Sequence, residues 1–305
     1  MIPDALRTFL TLDFAPLLAV TLAAGTLGLL GSFLVLERRA MIGDAMAHSV
    51  LPGLVAGFLI TGSRAPFPMF VGALAAAGLA SAAISFITRY GRIDPSTAIG
   101  VVFTSLFALG ILGVEASGAR NVDLDLDCVL SGQLELLYWR PPSTYAELLS
   151  PATVLTLPRE VLILGALAVL TPLLLALVWK PLTAATFDRT YATTRGLRPT
   201  LVRSAVFALT TVTIVASFEA LGSILVVALL TCPAAAARLR GGRLAGFVCM
   251  SALFGAASGV FGYLGATQLA PTVIGGSIDA SGTVASLSGL ILAVMALRHR
   301  SRSAE

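Results

Sequence analysis

The sequence predicts an all-α protein, a polytopic membrane helix bundle of eight or nine transmembrane helices that forms one domain over residues 1–305. Hydrophobic residues make up 57% of the chain and charged residues only 12%, which is far from the balance of a soluble domain. Nine apolar runs each have about 17 to 23 residues, the length that a helix needs to cross about 30 Å of hydrocarbon. Because a lipid-exposed backbone has to satisfy its own hydrogen bonds, each run is expected to be helical.

The apolar runs are separated by short polar segments. They lie at residues 15–36, 45–61, 68–89, 96–117, 160–179, 201–218, 221–237, 244–266 and 281–297. The second run is the weakest, because it is short and begins with polar residues. Gly53 and Gly57, and again Gly255 and Gly259, form GxxxG pairs that favour close helix contacts. We therefore expect a dense bundle.

Basic residues are distributed unevenly between the two ends of the predicted spans. Fifteen of the 20 Lys and Arg residues fall on the side of the loop that follows residue 36. The other side holds Arg7, Arg64, Arg120, Arg140 and Arg159. The positive-inside rule makes the basic side cytoplasmic, with the N-terminus outside and the C-terminus inside. The net charge of +4 is thus a signal of topology, and no nucleic-acid partner is expected.

Common hydrolytic motifs are absent from the sequence, so the chain is not expected to be an enzyme. The only lysine, Lys180, lies between Trp179 and Pro181, which excludes a GxxxxGK[ST] phosphate-binding loop. Neither HExxH nor GxSxG occurs, and His299 lies in the basic tail, where it is interpreted as a solvated residue. Transport driven by ATP would therefore need a separate ATPase subunit.

Asp44 and His48 form a polar pair beside a long apolar run, within ERRAMIGDAMAHSV at residues 37–50. Four residues apart on a helix, they project from one face, and a carboxylate with an imidazole suits Mn, Fe or Zn. Ionisable residues within a span are costly and often functional. The alternative is structural, since Asp44 follows Gly43 at the predicted start of a span, where it would cap the helix with His48 bonded to it. The residues alone leave both interpretations open.

An acidic stretch, NVDLDLDCVL, lies in the predicted outer loop at about residues 118–159. Its Asp123, Asp125 and Asp127 alternate with apolar residues, a period that suits an extended strand with one acidic face. We interpret this face as a solvated surface that shapes the outer mouth, with direct metal binding as the alternative. A calcium loop would need a different spacing.

The predicted cytoplasmic loop at residues 180–200 contains one short helical stretch. Thr186 is expected to cap this helix, Phe187 and Tyr191 to share one of its faces, and Gly196 to end it. Such a helix suits either the groove of a partner protein or the lipid interface. The residues alone do not choose between the two.

Five segments in order resemble the membrane permease subunits of bacterial manganese, zinc and iron ABC importers. They are LGSFLVLERRAMIGDAMAHSVLPG (28–53), DPSTAIGVVFTSLFALGI (94–111), NVDLDLDCVLSGQLE (121–135), FDRTYATTRGL (187–197) and ALGSILVVALLTCPAAAARL (220–239). The resemblance implies a homodimeric permease in the bacterial cytoplasmic membrane, with two cytoplasmic ATPases and an external metal-binding lipoprotein. It also implies a divalent metal ion as cargo, Mn, Zn or Fe, and no tightly bound cofactor.

The same resemblance implies roles for particular residues. It makes Asp44 and His48 the metal-coordinating pair of the permeation path. It makes the segment near 186–196 a coupling helix that contacts the ATPase. The coupling residues would be Phe187, Asp188, Tyr191 and Gly196. The outer acidic motif is closer to the manganese and iron branch than to the zinc branch, which favours manganese. The alternative function is a secondary proton-coupled metal carrier that uses Asp44.

Overall fold

The computed structural model describes residues 4–38, 40–62, 65–116, 132–140, 153, 155–273, 276 and 278–302. Across these ranges the chain is helical and contains no strand, as the sequence predicted. Eight helices within the described ranges are long and apolar enough to cross a membrane. The protein is therefore a multi-pass membrane protein built from α-helices.

Twelve helices are numbered here in chain order over the described residues. They are α1 Asp4–Leu12, α2 Phe14–Leu36, α3 Ala40–Thr61, α4 Pro66–Tyr90, α5 Pro95–Ala116, α6 Arg159–Leu177, α7 Trp179–Phe187, α8 Arg189–Thr194, α9 Pro199–Arg240, α10 Leu244–Leu264, α11 Ala270–Val273 and α12 Ala280–Arg302. A 3-10 turn covers Leu134–Leu136, and a π-helical turn, Gly265–Leu269, joins α10 to α11.

Helix α9 is folded into a hairpin and accounts for two of the predicted runs. A straight helix of its 42 residues would be about 63 Å long, twice the thickness of a bilayer core. Gly222 breaks it with φ 73° and ψ 170°, a left-handed φ that glycine adopts without strain. Val206 and Ala237, near its two ends, belong to one core cluster together with Leu30 of α2. The chain therefore crosses the bundle, turns at Gly222 and crosses back, which makes nine crossings in the described ranges.

Two ion pairs mark the opposite ends of the bundle. Arg203 of α9 donates to Glu37 at 2.7 Å on one end, which we call the Glu37 face. Arg159 at the start of α6 donates to both carboxylate oxygens of Glu219 at 3.0 Å on the other end, which we call the Glu219 face. Successive crossings alternate between the two faces, in agreement with the predicted alternation.

Segment 132–140 lies across the Glu219 face and ties several helices together. The backbone N–H of Gln133 donates to the carbonyl of Ala220 at 3.2 Å, beside the turn of α9. The N–H of Trp139 donates to the carbonyl of Thr11 at 3.0 Å, and its ring lies 5.5 Å from that of Phe14. These contacts join the α9 hairpin to the beginning of α2.

Glycine lets the central helices pack at the level of their backbones. A Cβ at Gly28 of α2 would lie 2.7 Å from the carbonyl oxygen of Ser251 in α10, and one at Gly31 would overlap the carbonyl of Leu230 in α9. A Cβ at Gly255 would likewise overlap the carbonyl of Ala24. Close approach of this kind is typical of small residues in membrane helices.

The predicted GxxxG pair of Gly53 and Gly57 joins α3 to α4. A Cβ at Gly53 would lie 2.5 Å from the carbonyl oxygen of Gly72, and one at Gly57 would lie 2.7 Å from that of Pro68. Any larger side chain would push the two helices apart. Both predicted GxxxG contacts are therefore confirmed.

Candidate functional site

The predicted polar pair lies on the face of α3 that is turned toward α5. His48 Nε2 is 3.3 Å from Asp44 Oδ1, one helical turn away. The side chain of Asp44 is 39% exposed and that of His48 is 18% exposed. On the opposite side of α3, Gly43 is buried against the side chains of Leu230 and Leu34. The two functional groups thus face away from the central core and remain accessible at the surface of the chain.

The interpretation of Asp44 as a helix cap is wrong. The sequence predicted that the second span begins at residue 45, but α3 begins at Ala40, so Asp44 is the fifth residue inside the helix. A capping side chain accepts from backbone N–H groups of the first turn, and Asp44 lies beyond that turn. The apolar run indicated too short a helix, because the first residues of α3 are partly polar and do not extend the hydrophobic pattern.

Two aromatic rings of α5 frame the imidazole. The ring of His48 lies 4.7 Å from that of Phe103 and 6.1 Å from that of Phe107, the latter edge-on. The two phenylalanines are one turn apart and lie 6.1 Å from each other. Packing against both rings limits the rotation of the imidazole, which keeps a ring nitrogen beside the Asp44 carboxylate.

Pro52 modifies the backbone one turn beyond His48. It lies inside α3 and has no N–H, so the carbonyl of His48 lacks its normal partner within the helix. Gly110 of α5 approaches this point closely, since a Cβ there would lie 3.1 Å from Cδ of Pro52. The carbonyl of His48 is therefore left without a helical N–H donor at the point where α3 packs against α5.

The two side chains alone would not complete a metal site. Among the described residues there is no group of three or more His, Cys, Asp or Glu side chains that could hold a metal ion. Transition metals in proteins usually have four to six ligands. One copy of the chain supplies two side-chain ligands, and the remaining ligands would come from water, the backbone or a second molecule.

A cavity of about 560 Å³ lies at the Glu37 face, beside the start of α3. Met41 and Ile42, three and two residues before Asp44, line it together with Glu37 and with Asp94, which directly precedes α5. Asp94 accepts hydrogen bonds from the hydroxyl and the N–H of Ser96, which hold the pKa of its carboxyl below the ordinary value. The cavity lining thus contains two acidic residues, Glu37 and Asp94, and two basic residues, Arg38 and Arg89.

The predicted cytoplasmic helix is in fact two helices. Helix α7 ends at Phe187, Asp188 is extended, and α8 begins at Arg189. The carboxylate of Asp188 caps α8 by accepting from the N–H of Tyr191 at 2.8 Å, so the prediction that Thr186 is the cap is wrong. The hydroxyl of Thr186 instead donates to the carbonyl of Leu182 inside α7.

This break changes the relation between the two aromatic residues of the loop. Phe187 and Tyr191 belong to different helices, so the prediction that they share a face of one helix is wrong. Both are nevertheless exposed, by 64% and 48%, and the guanidinium of Arg195 lies 5.4 Å from the Tyr191 ring centre. Gly196, with φ 72°, ends α8 as predicted.

Other residues singled out by sequence have different outcomes. Asp123, Asp125 and Asp127 lie outside the described residues. Glu219 lies at the turn of α9, and its pairing with Arg159 is a contact that the sequence did not indicate. The pairing of Glu37 with Arg203 and the aromatic frame of His48 were also missed. Apolar periodicity identifies helices and does not tell which helices become neighbours.

The fold and the polar pair define a multi-pass helical membrane protein whose second crossing has a carboxylate and an imidazole on one face. The sequence matches the ABC 3 transport family over residues 11–138 and 152–296. The chain belongs to this family.

Relatives include two named metal transport proteins. The manganese transport system membrane protein MntD of Bacillus subtilis is 36% identical over 266 residues, covering 87% of this chain and 85% of MntD. The zinc transport system membrane protein TroD of Treponema pallidum is 32% identical over 269 residues, covering 88% of this chain and 69% of TroD. The structure of PsaBC from Streptococcus pneumoniae in complex with Fab has a similar fold, with a TM-score of 0.74, 24% identity and coverage of 97% and 95%.

Proposed function

We propose that this chain is the permease subunit of an ATP-driven importer for a divalent transition metal, with manganese the first candidate and zinc or iron the next. The observation that carries the proposal is the exposed Asp44–His48 pair on α3, in a chain that belongs to a transport family. A carboxylate oxygen and an imidazole nitrogen are ligands that Mn, Fe and Zn accept. The names of MntD and TroD support a metal as cargo.

The proposed orientation has the Glu37 face in the cytoplasm. Arg89, Arg203, Arg240 and Arg298 line cavities at this face, and a strongly basic side is typical of the cytoplasmic side. Nine crossings put the two ends of the chain on opposite sides, so the C-terminal end of α12 would be cytoplasmic. The membrane would be the bacterial cytoplasmic membrane, as in the source organisms of the bacterial relatives.

The proposed mechanism is alternating access around the Asp44–His48 pair. An external lipoprotein would deliver the ion to the Glu219 face, where the acidic residues Asp123, Asp125 and Asp127 are proposed to shape the mouth. The pair would hold the ion weakly, because conduction requires that the ion also leave. The cavity toward Glu37 and Asp94 would then be its exit.

A second copy of the chain would complete the assembly. The pair supplies only two side-chain ligands, and the 39% exposure of Asp44 leaves its carboxylate accessible to a neighbouring molecule. We infer a homodimer in which each copy contacts one ATPase subunit. Hydrolysis of ATP would take place on that separate subunit.

The proposed contact with the ATPase is the α7–α8 corner. Phe187 and Tyr191 expose apolar area next to each other along the chain, and Asp188 and Gly196 define where α8 begins and ends. Two exposed aromatic side chains at a helix corner on the proposed cytoplasmic face are suited to the groove of a partner.

The test is metal uptake by liposomes that contain the permease together with its ATPase. We expect manganese uptake to require ATP on the side of the membrane where the ATPase is bound. We expect Asp44→Asn to abolish this uptake while the amount of protein in the membrane is unchanged. Asp279→Asn is the matched control: Asp279 accepts from the N–H of Gly282 at 2.6 Å, and asparagine can still cap there. Uptake that follows a proton gradient without ATP would favour a secondary carrier, and normal uptake by Asp44→Asn would refute the metal pair.

A further inference from the structure

A basic cleft lies where the last turns of α9 and α12 separate at the Glu37 face. It has a volume of about 170 Å³ and is lined by Leu239 and Arg240 of α9 and by Met295, Arg298 and His299 of α12. Met295, Arg298 and His299 are three and four residues apart, so they share one face of α12. The cleft therefore combines an apolar floor with cationic groups from two helices.

Among the described residues, no carboxylate lines this cleft. Among the described residues at the Glu37 face, Glu37 is paired with Arg203, Asp94 accepts from Ser96, and Asp188 accepts from Tyr191. The Arg240 guanidinium has only a weak contact, in which Nη1 lies 4.0 Å from Sδ of Met250 in α10. Two guanidinium groups that converge without a counter-charge repel each other, and a bound anion would relieve this repulsion.

Arginine side chains are well suited to phosphate. Their planar guanidinium groups donate two parallel hydrogen bonds to phosphate oxygens and remain charged at every physiological pH. Basic pockets between membrane helices on the cytoplasmic side are a known setting for phospholipid head groups. The side chains of the cleft thus favour an anion that carries a phosphate over a neutral ligand.

The surface of α12 next to the cleft indicates where the rest of the ligand would lie. Leu290, Val294 and Leu297 recur at helical spacing and are 58%, 41% and 70% exposed. Because α12 crosses the membrane, this apolar stripe faces lipid chains or another apolar surface. A ligand with a phosphate in the cleft and an acyl chain along the stripe would satisfy both features.

We propose that the cleft formed by Arg240, Arg298 and His299, with Leu239 and Met295, binds the head group of an anionic phospholipid. The lipid phosphate lies between the guanidinium groups of Arg240 and Arg298, and an acyl chain lies against α12. The bound lipid ties the end of α9 to the end of α12. This site is separate from the Asp44–His48 pair, and the proposal does not depend on which ion is transported.

The experiment measures how many phosphatidylglycerol molecules the purified full-length chain retains in detergent, by native mass spectrometry during a lipid titration. The test variant is Arg240→Gln/Arg298→Gln. The control is Arg238→Gln/Arg300→Gln, which removes the same charge from the same two helix ends, at exposed residues that do not line the cleft. Each arginine near an anionic head group contributes about fivefold in affinity, so the loss of two should weaken binding about 25-fold.

The expected result is this loss in the test variant, with little change in the control and with phosphatidylcholine bound weakly by all three proteins. Equal losses in both variants would mean a general surface potential and would overturn the site. A second variant, Arg240→Lys/Arg298→Lys, keeps the charge and should retain partial binding. The melting temperatures of all variants without lipid are compared as well, so that a loss of binding caused by misfolding is recognised.

Two further arms distinguish other ligands. If inorganic phosphate or ATP displaces the lipid at low concentration, a free phosphate compound is the ligand and the lipid assignment is wrong. If the test variant keeps its lipid but no longer copurifies with the ATPase, the cleft is a protein contact, which also overturns the proposal. Retention of the ATPase together with loss of the lipid supports it.

Discussion

Arg203 Nη2 donates a 2.7 Å hydrogen bond to Glu37 Oε2, which joins residues 166 positions apart in sequence. The two side chains are 25% and 23% exposed, so the pair is largely withdrawn from water. It connects the end of α2 to the first turns of α9 and borders a cavity of about 290 Å³ at the Glu37 face. The pair therefore holds two central crossings together at the face that we propose to be cytoplasmic.

Removal of either partner should be more costly than removal of both. Arg203→Gln leaves the Glu37 carboxylate half-buried without its cation, while the double variant with Glu37→Gln removes both charges. We expect a coupling energy of about 1 to 2 kcal/mol from a double-mutant cycle on unfolding in detergent.

The Arg159–Glu219 pair provides the control for this cycle. Its side chains are 43% and 61% exposed, so water and salt screen the interaction. The same double-mutant cycle should give about 0.5 kcal/mol or less. Equal coupling energies for the two pairs would contradict the importance of burial.

Gly132→Ala should destabilise the Glu219 face. A Cβ there would overlap the backbone of Leu221 and Gly222 at the turn of α9, and the residue has φ 80°. Because the neighbouring backbone is rigid and φ is left-handed, the substitution should lower the free energy of unfolding by more than about 1 kcal/mol, measured as a lower melting temperature. Gly246→Ala in α10 is the control, since a Cβ there meets nothing within 4 Å, and it should be neutral or slightly stabilising.

Replacement of Phe187 and Tyr191 with Asp should separate the permease from its ATPase without unfolding it. Both side chains are exposed, so the loss of their apolar area affects a partner more than the chain itself. Copurification with the ATPase is the measurement. Leu136→Asp/Leu155→Asp, at residues that are 66% and 76% exposed in segments tied to the Glu219 face, should leave the ATPase bound. Normal copurification and uptake by the Phe187/Tyr191 variant would refute the proposed contact.

The proposed orientation predicts the side from which single cysteines are labelled. With the three native cysteines replaced, a cysteine at Arg240 should react with an impermeant maleimide only from the cytoplasm. A cysteine at Leu155 should react only from outside, because Thr156 next to it accepts from the indole of Trp139 at the Glu219 face. The reverse pattern would overturn the orientation while leaving the fold unchanged.

Much of the architecture was predictable because membrane crossings have a strong local signal. Long apolar runs predicted the helices, and the position of basic residues predicted which helix ends lie on the same side of the bundle. The GxxxG pairs predicted two close helix contacts, as seen for Gly53 and Gly255. Local signals failed where polar residues begin a helix, as at Ala40, and where a cap competes with helix continuation, as at Asp188. In both places short-range preferences were weaker than tertiary packing.

The sequence by itself determined that the chain is a helical membrane bundle, which residues lie at each end of its crossings, and that Asp44 and His48 share a helical face. These properties follow from hydrophobic length and from a period of 3.6 residues, both of which are local. Only the tertiary structure decided that Asp44 lies inside α3, that Phe103 and Phe107 frame His48, and that Arg203 meets Glu37. Those relations depend on which helices pack together, and the apolar surfaces of membrane helices are too alike for a single sequence to specify their neighbours.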